Sequence, residues 1–137
     1  MTDLVSPESR MIEKTNVKGD GLFTEAEAEF LAENFLGRLA TSSPSGQPHV
    51  VPVAYRFDGT TITFGGFNLT SSLKFKNLTT NNNVAIVIDE VVSTSPWKVR
   101  GVEVRGRAVP IRGDRGSTAV RIVPRKVRSW GFREQTS

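Results

Sequence analysis

The residues with the greatest chemical capacity in this chain lie together in one stretch, Gly65-Gly66-Phe67-Asn68-Leu69-Thr70-Ser71-Ser72-Leu73-Lys74-Phe75-Lys76-Asn77. Paired glycines let a backbone approach a ligand closely. Hydroxyl-bearing residues at a helix start leave outward-pointing N–H groups with the positive end of the helix dipole behind them. Lys74 adds a full charge one turn in. The pattern suits a phosphate, bound through Ser71, Ser72 and Lys74 by charge-assisted bonds of roughly 1.5–3 kcal/mol each before desolvation is subtracted. A competing reading is equally open from spacing alone: Thr70 or Ser71 caps the helix and the lysines are solvated.

Other chemistries are narrowed by what the chain lacks. It has no cysteine, so disulfides, thiolate nucleophiles and cysteine metal sites are excluded, and its one histidine leaves no histidine cluster for a metal. His49 could donate a proton, but at a turn–strand junction a structural or solvated role competes. The formal charge of +4 suits anionic ligands, though part of the excess sits in the tails. No apolar run approaches the roughly 18 residues of a membrane helix. The expectation is a soluble, cytoplasmic protein without a membrane partner. The sequons Asn68-Leu69-Thr70 and Asn77-Leu78-Thr79, with no secretory signal, are read as chance matches.

The elements that must position the glycine–lysine stretch follow from periodicity. Residues 1–21 have no apolar period and read as a flexible extension; residues 22–132 read as one domain; residues 133–137 read as a tail. Thr24 and Glu27 form a capping box with Phe23 as a staple, and Ala26, Phe30, Leu31 and Phe35 recur at helical spacing until Gly37. The period then changes to two. A short strand over residues 38–42 is followed by turn formers and a longer strand over 49–57. There Val51, Val53, Tyr55 and Phe57 share one face, and Val50, Pro52, Ala54 and Arg56 the other. Pro52 cannot donate to a ladder, so it marks an edge, a bulge, or a place where something other than a strand lies alongside.

Asp58-Gly59 signals a hairpin and residues 61–64 return from it. A helix then runs to about Thr80 on Leu73, Leu78 and Phe75. Val84-Ala85-Ile86-Val87-Ile88 reads as a strand buried on both faces, residues 89–98 as a loop, and residues 102–108 as a half-buried strand whose exposed face carries Glu103, Arg105 and Arg107. Gly113-Asp114-Arg115-Gly116 reads as a turn, and residues 119–123 as a strand that Pro124 bends or interrupts before 127–131 carry it on. Six strands joined mostly by short turns, with one helix between the third and fourth, predict a mainly β fold, a small antiparallel barrel rather than a parallel sheet.

In order and spacing, several segments together resemble the pyridoxamine phosphate oxidase-like split-barrel family, most closely its flavin- or deazaflavin-dependent branch. They are Leu39-Ala40-Thr41, His49-Val50-Val51-Pro52-Val53, Phe64-Gly65-Gly66, the segment from Ser71 through Leu78, and Val84-Ala85-Ile86-Val87-Ile88. Arg100-Gly101-Val102-Glu103-Val104-Arg105-Gly106-Arg107-Ala108 and Arg121-Ile122-Val123-Pro124-Arg125-Lys126-Val127-Arg128-Ser129-Trp130-Gly131 continue the likeness.

The resemblance implies a six-stranded antiparallel split β-barrel that forms a homodimer, with FMN or coenzyme F-420 in the cleft between subunits. It implies that Val51, Pro52 and Val53 face the tricyclic ring, that Gly65 and Gly66 give the ribityl chain room, and that Ser71, Ser72 and Lys74 take the phosphate. Trp130 matches a late aromatic near the ring, of the same or the other subunit; a plain core or interface tryptophan is the alternative. Arg121, Arg125, Lys126 and Arg128 could take the acidic tail of a deazaflavin or form a solvated rim. True pyridoxamine phosphate oxidases carry an arginine and a lysine in the strand at residues 49–55 and an arginine at the position of Leu73. This chain is therefore not expected to oxidise pyridoxamine phosphate.

The expected function is hydride transfer to a small organic substrate, with deazaflavin preferred over FMN. The protein would contribute position, electrostatics and exclusion of water, and no catalytic side chain is singled out. A non-catalytic cofactor carrier is the second class. A nucleic-acid-binding barrel is the third, weakened because Phe57, Phe64, Phe67 and Phe75 follow core and loop positions rather than an exposed stacking platform.

Overall fold

The computed structural model describes residues 21–112 and 116–132. The predicted extension and tail, and Gly113, Asp114 and Arg115 of the predicted turn, lie outside them. The elements are α1 (Glu25–Glu33), β1 (Leu36–Ser42), β2 (Pro48–Phe57), β3 (Ile62–Phe64), a 3-10 turn (Leu69–Ser71), α2 (Leu73–Thr80), β4 (Asn83–Thr94), β5 (Trp97–Arg112) and β6 (Thr118–Trp130). The six strands close into an antiparallel barrel in the order β1-β2-β3-β6-β5-β4. Alternation drives the closure: Leu39, Val53, Tyr55, Ile62, Phe64, Ile86, Ile88, Val102, Val104, Val120 and Ile122 point inward and are buried.

α1 covers one end of the barrel. Its capping box is present in both directions, Thr24 Oγ1 accepting from the Glu27 N–H and Glu27 accepting from the Thr24 N–H. Phe23 meets Phe57 edge-on with ring centroids 5.0 Å apart. Tyr55 Oη donates to the Leu31 carbonyl at 2.6 Å, and burial pushes that phenol well above its ordinary range. The helix ends earlier than its apolar period suggests. Asn34 turns the backbone extended and donates its side-chain amide to the Phe30 carbonyl. Phe35, expected in the buried stripe, is 76% exposed instead, and its carbonyl accepts the Tyr55 N–H.

The Asp58-Gly59 hairpin forms as expected. Burial works to raise the Asp58 carboxyl, but the amides of Thr61 and Thr60, followed by their hydroxyls, outweigh it and hold the group below the ordinary carboxylate range. A carboxyl depressed in the folded state contributes stability above its unfolded value and loses that contribution as pH falls through its folded value. The thermal midpoint of Asp58→Ala is therefore expected below that of the wild type at neutral pH. The two curves should converge once the pH is low enough to protonate Asp58 in both states, as followed by thermal unfolding across a pH series. A constant gap down to strong acid would show that the shift does not act.

Three segments read differently from their sequence pattern. The loop expected over residues 89–98 is strand: β4 and β5 stay paired out to Thr94 and Trp97, so the hairpin continues past the barrel wall, beyond the last β5–β6 pair at Gly101 and Trp130. β6 is continuous through Pro124, with a bulge that lets two of its residues oppose the Arg105/Gly106 step. Leu73, expected to be buried, is 52% exposed, and Asn77 takes a buried place, donating to Thr41 Oγ1 at 3.1 Å.

Candidate functional site

The barrel has a seam. β2 pairs with β3 only from Tyr55 to Phe57, so its earlier part is paired with β1 alone. β6 pairs with β3 only from Val120 to Ile122 and then with β5 alone. The segment 65–80 is laid along this opening, its 3-10 turn against β6 and α2 against β1 and β2. Leu69 and Leu78 anchor it in the core.

Pro52 sits on the open edge. The Tyr55 N–H points to β1, and strand alternation turns the N–H positions of Val53 and Val51 the same way and that of Pro52 toward the seam. The proline thus removes no ladder bond. Val53 is buried, and Val51 packs against the core, so both side chains point inward. Outward, this strand offers the Pro52 ring and, on the seam edge, backbone.

Gly65 and Gly66 follow β3 in the open. A Cβ on either would meet nothing within 4 Å, and Gly66 takes φ +142°, where a side chain is strained. Phe67 beside them is 94% exposed. The hydroxyls expected to hold phosphate are already engaged: Ser71 Oγ donates to the Asn68 carbonyl at 3.0 Å, and Ser72 Oγ donates to the Leu69 carbonyl at 2.6 Å while accepting the Phe75 N–H at 3.3 Å.

Ser72, rather than Thr70 or Ser71, is the N-cap of α2. Ser72→Ala is accordingly expected to cost about 1 kcal/mol of stability, read as a lowered denaturant midpoint with an unchanged slope. No change in midpoint would contradict the capping role. The amides of Leu73 and Lys74, first in α2, have no acceptor within the helix. Lys74 is half-buried and makes no ion pair among the described residues.

Sequence reasoning missed two cations. Arg56 and Arg112 border a groove of about 470 Å³ that runs beside Gly65 over Ala54, Thr63 and Ile111. Arg56 was legible as an outward residue of β2, but only the β2-β3-β6-β5 order brings Arg112 alongside it. Arg112 also reaches the Gly116 carbonyl at 3.4 Å.

Trp130 is not brought to this place within one chain. It lies about 30 Å further along β6 than the Phe64–Val120 pair at about 3.3 Å per residue. There its Cζ2 stands 2.7 Å from where a Gly101 Cβ would be. Neighbouring Ser129 donates to the buried carboxylate of Glu27, which ties β6 to α1. Nδ1 of His49 is buried and has no hydrogen-bond partner among the described residues.

A closed six-stranded antiparallel barrel with two short helices is the architecture of the split-barrel fold. A sequence profile described as pyridoxamine 5'-phosphate oxidase matches residues 23–131, and the chain belongs to that family of oxidoreductases. It is 36% identical over 119 residues, 80% of this chain and 84% of the relative, to 5a,11a-dehydrotetracycline/5a,11a-dehydrooxytetracycline reductase of Streptomyces rimosus.

Among solved structures it resembles the FAD-binding protein of Mycobacterium smegmatis, with TM-score 0.59 and 25% identity over 78% of this chain and 92% of that one. It also resembles an F-420 reductase, with TM-score 0.64 and 20% identity over 77% and 98%. A FAD-binding protein of Mesorhizobium loti is similar at TM-score 0.63 and 21% identity over 74% and 87%. Among the described residues no helix is long and apolar enough to cross a membrane.

Proposed function

We propose that the protein is a reductase that uses a reduced flavin-type cofactor, coenzyme F-420 in preference to FMN, to saturate an activated carbon–carbon double bond of a polycyclic, oxygen-rich small molecule. The observation that carries this reading is the 36% identity with a dehydrotetracycline reductase over most of both chains. The seam fits the cofactor: an uncrowded glycine turn, free amides at the start of α2 and a lysine without an ion pair among the described residues can accept a phosphate ester.

When bound, the reduced cofactor supplies a hydride equivalent. Lys74 and the Leu73 and Lys74 amides hold its phosphate, Gly65 and Gly66 leave its chain room, and the Pro52 edge borders its ring. Arg56 and Arg112 bind a further anionic group of cofactor or substrate. The cofactor would supply the two electrons and one hydrogen for conjugate reduction of the enone, solvent would supply the second hydrogen as a proton, and the chain would bind and orient the enone beside the ring.

A homodimer with the cofactor between subunits completes the reading. It is supported by exposed apolar residues outside β1 and β2, Leu36 opposite Ala54 and Val50 opposite Ala40, which flank the Arg38–Pro52 pair and are 58% and 62% exposed at Leu36 and Val50.

The test is an anaerobic assay with 5a,11a-dehydrotetracycline and either reduced F-420 or reduced FMN. The expected result is cofactor oxidation matched by a product carrying two more hydrogens. A cofactor that binds but is not oxidised by this or any other enone would make the protein a carrier. Failure of both cofactors to bind would overturn the reading.

A further inference from the structure

A second concave site lies elsewhere on the barrel. It is an open groove of about 490 Å³ across β1, β4, β5 and β6, bordered by Asn83, Arg105 and Arg125. Register explains its shape. Ala40 pairs with Ala85 and Ala85 with Arg105, so one row of outward positions presents two methyl groups and then a guanidinium. Gly106, the next residue of β5, adds no side chain.

The bulge in β6 explains Arg125. Arg105 pairs with Lys126 and Gly106 with Pro124, so Arg125 is the residue passed over and its side chain is released from the ladder. Only glycine permits this approach, because a Cβ at position 106 would stand 2.2 Å from the Val123 carbonyl oxygen. Arg125 is exposed and has no ion pair among the described residues, while Arg105 is held to Glu103 at 3.2 Å, with its side chain 52% exposed. Lys126 and Arg128 lie on the same strand, and Arg128 pairs in register with Glu103. Cations therefore outnumber the single carboxylate here.

We infer that this groove binds a planar organic acid, its carboxylate or enolate oxygens taken by the forks of Arg105 and Arg125 and its apolar ring laid on Ala40, Ala85 and the bare backbone at Gly106. Guanidinium pairs match carboxylate geometry, and the methyl groups of Ala40 and Ala85 on the floor favour a ring over a hydrated inorganic ion. The groove lies apart from the Gly65–Lys74 segment and does not depend on the cofactor reading.

The probe is 2-naphthoate, titrated calorimetrically into the full chain at fixed physiological salt. Saturable binding is expected, weakened about tenfold in Arg125→Gln and in Arg105→Gln and unchanged in Lys98→Gln, which removes an exposed charge near the hairpin tip. 2-Naphthalenemethanol, of the same shape without the charge, should bind about tenfold more weakly. Thermal unfolding of Arg125→Gln should match the wild type, since the side chain is exposed. Equal affinity of acid and alcohol, equal affinity of inorganic phosphate, wild-type affinity in Arg125→Gln, or no saturation by about 10 mM would each overturn the proposal.

Discussion

Phe64→Ala is expected to lower stability by about 3–5 kcal/mol, a fall in melting temperature of about 12–20 °C for a domain of this size. The ring is 1% exposed in the barrel core. β3 is three residues long, and Phe64 is paired on one side to Tyr55 of β2 and on the other to Val120 of β6. No other strand joins β2 to β6, so the cavity would open where the barrel closes and the chain has least material with which to collapse around it. Phe64→Leu, which keeps most of the volume, should cost about 1.5 kcal/mol or less. Thermal unfolding followed by circular dichroism decides the matter: a loss in Phe64→Ala no larger than in Phe64→Leu would show that closure does not depend on the ring. Because Gly65 is the next residue, the damage would also reach the proposed cofactor turn.

Lys74→Ala is expected to weaken cofactor binding by tenfold or more, about 1.4 kcal/mol, without a comparable loss of stability. The hydroxyls of Ser71 and Ser72 donate to carbonyls of their own segment, so in this arrangement the charge of a phosphate falls to Lys74 and the free amides at the start of α2. Lys74→Arg, which keeps the charge, should recover part of the affinity. Fluorescence titration with F-420 and with FMN, on wild type and both variants, measures the effect. Wild-type affinity in Lys74→Ala for whichever cofactor binds would move the phosphate elsewhere, with Arg56 and Arg112 the next cations to replace.

Much of the fold was legible because its signals are local. The capping box at Thr24 and Glu27, the Asp58-Gly59 turn, and the alternation through Val102, Val104, Gly106 and Ala108 each depend on residues close in the chain, and each appears as expected. The misreadings share one cause. Phe35, Leu73 and residues 89–98 were assigned from pattern alone, whereas neighbours distant in sequence decided their fate. The Phe35 carbonyl is claimed by Tyr55, the place expected for Leu73 falls to Asn77 through Thr41, and β4 is held as strand by β5. Pro124, expected to bend or interrupt its strand, lies at a bulge opposite a glycine, and the strand carries on through it.

The amino-acid sequence by itself determined the strand count, the inward residues, the open glycine turn before a helix with Lys74 in its first turn, and the family likeness, since each is written in spacing along the chain. Only the tertiary structure decided which strands meet, and with that the seam along β2, the harmless place of Pro52 on it, and the groove where Arg56 and Arg112 stand together. The physical reason is register. Periodicity fixes which face a side chain takes, but which residues share that face across a barrel is set by strand pairing between segments far apart in the chain, and no local pattern encodes it.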